Sequence, residues 1–122
     1  MKQVYESRKC IIFETDEGYI FKIYPLNNKN QEIGTSTTFE NLECCKKAYD
    51  ELERYVLNNS VDSVENSCIS TEKVEDEKGI YKYRYVCKIG EENIFYQRYV
   101  YSLDNCTKGV KRLYDALKYI YK

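Results

Sequence analysis

The chain has 122 residues, of which 43% are hydrophobic and 32% charged, with 19 Lys/Arg against 20 Asp/Glu and a formal net charge of −1. That length supports one core rather than two. The balanced charge disfavours nucleic acid as the main partner, because a phosphate-reading groove needs a basic excess. No apolar run is long enough to span a membrane, and the polar stretch 1–9 shows no signal peptide.

In chain order, Lys9–Glu14 is apolar enough for a first strand. Thr15-Asp16-Glu17-Gly18 is a turn with glycine at a positive-φ position. Tyr19–Leu26 is a second strand with aromatic and β-branched residues, and Asn27-Asn28-Lys29-Asn30 turns again. Glu32–Phe39, rich in Thr and Ile, is a third strand. Asn41 is the N-cap of a helix running to about Leu57. The same series then recurs: a strand near Ser67–Glu75, a turn at Asp76–Gly79, strands near Ile80–Lys88 and Asn93–Tyr101, and a helix from Ser102 almost to the end.

The recurrence is an internal repeat at an offset of 61. Leu42, Cys45, Tyr49, Leu52 and Val56 fall on Leu103, Cys106, Val110, Leu113 and Leu117, and both sets step 3-4-3-4, one apolar stripe along a helix. In the second strands Tyr81, Tyr83 and Tyr85 fit an offset of 62 against Tyr19, Phe21 and Ile23, so the facing of residues there stays open. The expected fold is α+β: a single domain of two tandem β-β-β-α units, about 9–57 and 67–121, forming antiparallel sheet with two helices on one face. The third strand of the second copy offers Phe95, Tyr99 and Tyr101 on one side and Ile94, Tyr96 and Val100 on the other. Neither side is polar, which predicts a homo-oligomer, most simply a two-fold dimer, or else a large core with partly exposed tyrosines.

Six cysteines without a CxxC, and no histidine, leave no zinc site of the usual spacing and favour reduced cytosolic thiols over a disulfide framework. The missing histidine also removes the usual general base, and no Gly-rich phosphate loop or nucleophile elbow is present. The expectation is binding without catalysis and without a cofactor.

The two copies differ in charge. From Lys78 onward there are ten Lys/Arg against four acids, together with nine of the fourteen tyrosines and Phe95. Basic groups interleaved with rings suit a compact anionic ligand with a flat base. Lys108 and Arg112 stand one turn apart on one helix face. Copy one has Lys47 and Glu51 there, so the fold does not require the pair; a solvated face and a ligand wall both account for it. Arg98, mid-strand among tyrosines, needs a partner or a ligand. Asn93 can bond ribose hydroxyls or close a turn, and Arg54 can serve a ligand or compensate its helix dipole.

The run Ile33-Gly34-Thr35-Ser36-Thr37-Thr38-Phe39, followed by a helix with small and apolar residues, resembles the repeat of the YegP-like bacterial proteins, which are tandem β-β-β-α units. The second copy departs from it, with Ile94-Phe95-Tyr96-Gln97 in place of the small residues. The size, the GYIFKIYPL and KYRYV strands, and Lys108/Arg112 beside an Asn93/Phe95 strand resemble the phage anti-Thoeris sponge proteins. That resemblance implies a cytoplasmic, oligomeric phage protein that sequesters cyclic ADP-ribose isomers made by TIR enzymes and releases them intact. It implies ligand-binding roles for Arg112, Lys108, Asn93, Phe95 and Tyr83, to which the sequence adds Arg98 and Arg54 as candidate ligand-binding residues. A protein-binding inhibitor of a host defence enzyme, using the tyrosine-rich face, is the alternative.

Overall fold

The structure, a computed structural model, describes residues 1–7, 9–25, 31–58 and 69–118. Seven strands, β1 (Lys2–Glu6), β2 (Cys10–Thr15), β3 (Gly18–Ile23), β4 (Gly34–Ser36), β5 (Ile69–Glu75), β6 (Tyr81–Ile89) and β7 (Glu92–Gln97), form one sheet in the order β1-β2-β3-β4-β7-β6-β5. Every pairing is antiparallel. Helices α1 (Leu42–Leu57) and α2 (Leu103–Lys118) touch each other and pack on the same face, so the α+β architecture is as expected. The two copies meet where their third strands, β4 and β7, pair in the middle of the sheet.

Both helices bury the stripe that the sequence marked. Cys45, Tyr49, Leu52 and Val56 of α1, and Cys106, Val110, Leu113 and Leu117 of α2, lie in one core with Phe21, Ile23, Tyr85, Cys87 and Phe95. Asn41 caps α1 by accepting from the Cys44 N–H at 2.8 Å, and Ser102 accepts from Asn105 N–H at 3.1 Å before α2. The first stripe position diverges, since Leu42 packs against the core whereas Leu103 is 54% exposed.

The strands do not keep one offset. Hydrogen-bonded equivalence puts Cys10 on Ile69 (59 residues apart), Phe21 on Tyr85 (64) and Ser36 on Gln97 (61). The offset of 62 expected for the second strands is therefore wrong by two residues. The cause is hairpin length. The β2–β3 hairpin turns between Thr15 and Gly18, whereas the β5–β6 hairpin runs on to Glu75 and Tyr81 and is five residues longer. The following turn is three residues shorter in copy two, which restores the helix offset.

The ends of the third strands are the second correction. They stop at Ser36 and Gln97, not at Phe39 and Tyr101, because both chains swing away from the preceding strand and return only for an isolated bridge, Tyr19–Phe39 or Tyr83–Val100. In the gap a side chain stands in for the missing ladder acceptor. Ser36 Oγ accepts from Phe21 N–H at 2.8 Å, and Gln97 Oε1 accepts from Tyr85 N–H at 3.2 Å. Both are buried, as a replacement for a lost backbone bond must be. Strand β1 went unforeseen in the sequence. Its residues are exposed apart from half-buried Val4, and only pairing with β2 makes it a strand.

Register also fixes the face away from the helices. Ile11, Lys22, Thr35, Tyr96, Val86 and Ser70 follow one another across the sheet. This face is mixed rather than apolar, and ion pairs Lys22–Glu32 (3.2 Å) and Arg84–Glu72 (2.8 Å) involve it. The open face as a whole is therefore not the apolar surface that β7 alone suggested, because its neighbours contribute Lys22, Thr35 and Ser70. Phe95 and Gln97 turn inward, and the ring of Tyr96 lies against a guanidinium. No helix among the described residues is long and apolar enough to cross a membrane.

Burial sets the alkaline limit of stability. Desolvation, then the neighbouring Cys10 and Cys44 thiols, push the Cys45 thiol from 9.0 up to about 12, and burial likewise raises the phenols of Tyr49 and Tyr85. The unfolded chain ionises these groups at their ordinary values while the folded chain does not. Stability should thus be level below about pH 9 and fall as pH rises toward 12, by about 1.4 kcal/mol per pH unit per group. Urea midpoints at pH 8, 9, 10 and 11 read this directly, and Cys45→Ala should make the decline shallower.

Candidate functional site

Two cationic side chains singled out in the sequence converge. Arg98 leaves the sheet just after β7, and Arg112 sits on the solvent flank of α2, two residues past Val110 of the buried stripe. Both line a cleft of about 320 Å³ with Gln31, Glu32, Ile33, Gln97 and Val100. The sequence places them here because β7 ends at Gln97, which frees Arg98 from the ladder where Gly109 of α2 lies against Gln97. Neither guanidinium is ion-paired with a carboxylate among the described residues. Glu32, the acid in the wall, is already bound by Lys22 and by the Thr35 hydroxyl. Two cations with no carboxylate partner among the described residues, over one groove, have the chemistry to receive an anion.

Tyr85, fully buried, donates its backbone N–H to the side chain of Gln97 in the cleft wall, and its hydroxyl has no hydrogen-bond partner among the described residues. Burial raises its phenol well above the ordinary value, and the Arg112 charge opposes that rise, which puts the guanidinium within electrostatic reach of the ring.

A second hollow, about 390 Å³, adjoins on the open sheet face and is lined by Glu32, Thr35, Ser36, Arg84, Tyr96, Gln97, Arg98 and Tyr99. The Arg84 guanidinium lies 4.3 Å from the centre of the Tyr96 ring and 4.5 Å from that of Tyr99, and its Nε donates to Glu72 at 2.8 Å. Sequence reading missed Arg84 and Glu72 as a unit. They face each other across β5 and β6, a pairing visible only once the longer hairpin sets the register.

The other expected residues lie elsewhere. Lys108 is 69% exposed and pairs with Asp104 at 3.1 Å one turn earlier, so it shares a helix face with Arg112 but not the cleft. Phe95 is wholly buried, stacked on Phe21 at 5.6 Å and tilted against Tyr85 at 6.3 Å, so its ring belongs to the core and not to a ligand surface. Asn93 pairs with Lys88 at the far end of β7, five residues from Arg98 or ~16 Å at about 3.3 Å per residue. Its side-chain oxygen is buried and lacks a partner among the described residues. Tyr83 packs at the core margin and bridges Val100, one residue behind the cleft wall. Arg54, in the last turn of α1, lines a shallow groove on the surface of its own helix.

A third hollow, about 410 Å³, opens between the β1–β2 edge and α1, with Tyr5, Lys9, Lys46, Asp50 and Glu53 on its walls. Its cations are occupied: Lys46 sits over the Tyr5 ring at 4.2 Å, and Lys9 caps α2 through the Leu117 carbonyl and approaches Glu53 at 3.8 Å. It therefore has less to offer an anion than the Arg98–Arg112 cleft. Among the described residues no three His, Cys, Asp or Glu side chains gather as metal ligands. The chain matches no protein family, no curated protein and no solved structure.

Proposed function

We propose that this protein binds a small anionic nucleotide and holds it without turnover, as a sponge for a cyclic ADP-ribose isomer that would otherwise signal in a TIR-based anti-phage defence in the host cytoplasm. The observation that carries the reading is the meeting of Arg98 and Arg112 over one cleft with neither charge committed to a carboxylate among the described residues. The positive second copy supports it, as does a chain with no histidine to serve as base. The ligand class itself comes from the resemblance to anti-Thoeris sponges.

Isothermal titration with cyclic ADP-ribose isomers tests it. Arg112→Ala should weaken binding by about 1.5–3 kcal/mol, the range for a hydrogen bond to a charged group. It should leave the thermal midpoint nearly unchanged, because the residue lies off the buried stripe. Lys108→Ala, which breaks an exposed i,i+4 pair, should bind almost as the parent does. Absence of heat with every isomer refutes the reading.

A homo-oligomer belongs to the same proposal, now on a different surface from the sheet face expected at first. Tyr101 and Leu103, 70% and 54% exposed, leave apolar surface at the start of α2. The mass from sedimentation velocity of the titrated sample decides between one chain and several. The same exposed pair favours the second reading, a contact surface for a host defence protein, should no small ligand bind.

A further inference from the structure

We propose that the hollow on the open sheet face is a ring-binding subsite continuous with the arginine cleft, with Tyr99 as its stacking platform. The ligand would then carry a flat heterocycle set apart from its phosphates. This inference rests on the anion-binding reading of the cleft and extends it.

The two hollows share Glu32, Gln97 and Arg98 as walls, so Arg98 stands between them and one molecule can reach both. Their chemistry differs. In the cleft, Arg98 and Arg112 carry charge that no carboxylate of the described residues neutralises. On the open face, the charge of Arg84 is met by Glu72 at 2.8 Å, and Glu32 is met by Lys22 at 3.2 Å. The cleft therefore suits phosphate, while the face offers rings and hydrogen-bonding groups with little net charge.

Tyr99 belongs to no strand, so the ladder does not orient it. Arg84 does. Its guanidinium lies against both tyrosines, and Glu72 on the neighbouring edge strand fixes the guanidinium in turn. A stacked guanidinium with its Nε held by a carboxylate is a preorganised support. The Tyr99 ring rests on it and stays 37% exposed, which leaves surface for a base to stack on. Arg98 stands on the same wall as a donor for the edge of such a ring, and the Thr35 hydroxyl, whose proton goes to Glu32, as an acceptor. Copy one has Thr37 and Thr38 where copy two has Arg98 and Tyr99, so the fold needs neither residue in its own right.

Titration of the full chain with two probes, inorganic pyrophosphate and cyclic ADP-ribose, tests this. The nucleotide should bind more tightly than pyrophosphate. Tyr99→Ala should weaken the nucleotide ~10-fold, as the loss of one stacking contact does, and leave pyrophosphate unchanged. Tyr99→Phe should keep the parent affinity for both, while Arg112→Ala should weaken both. If Tyr99→Ala weakens neither probe, or both alike, the subsite is overturned and the arginine cleft stands. If the parent chain binds neither probe, both the subsite and the sponge reading fall.

Discussion

Phe95→Ala is expected to destabilise the protein by about 3–5 kcal/mol, the range for emptying a buried aromatic site. Phe95 has no exposed surface, and its ring stacks on Phe21 of the other copy with planes 8° apart and centres at 5.6 Å. Tyr85 closes the other side at 6.3 Å, and Gly34 lies so near that a Cβ there would stand 2.6 Å from the ring. The cavity left by alanine would thus open at the seam between the copies, where β4 and β7 pair over only three residues. Urea unfolding followed by circular dichroism gives the loss. A variant that keeps its stability but loses ligand affinity would instead return Phe95 to the ligand-contacting role implied by the resemblance.

The second large effect concerns an exchange between the copies. Where copy one has Ala48 and Ser36, copy two has Gly109 and Gln97, and Gly109 lies against the Gln97 side chain. A Cβ on Gly109 would collide with the Gln97 amide nitrogen and stand 2.8 Å from its Cδ and 3.3 Å from the Tyr85 ring. Gln97 cannot simply swing aside, because its oxygen holds the Tyr85 N–H in the gap of the ladder. Gly109→Ala should therefore cost about 1–3 kcal/mol, as overpacking does, even though alanine is the better helix former by about 1 kcal/mol. Adding Gln97→Ser rebuilds the pair that copy one already uses, with a hydroxyl to accept from Tyr85 as Ser36 accepts from Phe21. The double variant should recover most of the loss. A double-mutant cycle on thermal or urea unfolding gives the coupling, and simple additivity would mean that Gln97 and Gly109 do not share this space.

The helices and the order of the elements were legible because the 3-4-3-4 stripe is strong and occurs twice. Residues such as Leu52 and Leu113 could hardly be read otherwise. The strands were less legible. A hairpin can lengthen by any number of residues without disturbing a helix, so the offset that holds for Val110 fails for Tyr85, and each residue of slip turns a side chain to the other face. The face of Phe95 was not legible for that reason, since it follows from the pairing with Cys87 and not from its own neighbours. Arg98 was legible as a charge out of place in a strand; the structure resolves the oddity by ending the strand one residue earlier. The support of Tyr99 by Arg84 and Glu72 had no local signal at all, because its three members come from two strands and a connecting segment far apart in sequence.

The central seam also bears on how the chain reaches this state. Within each half the pairing is between near neighbours, as in β2 with β3 and β6 with β7. The bonds from Gly34 to Gln97 and from Ser36 to Phe95 instead close a loop of about sixty residues, and its closure entropy falls on a junction of three residue pairs. Hairpins that form early have little to gain from that junction until Phe21 and Phe95 meet. The pairing of β4 with β7 is then expected to form after the hairpins within each copy, together with the shared core in which Phe21 stacks on Phe95.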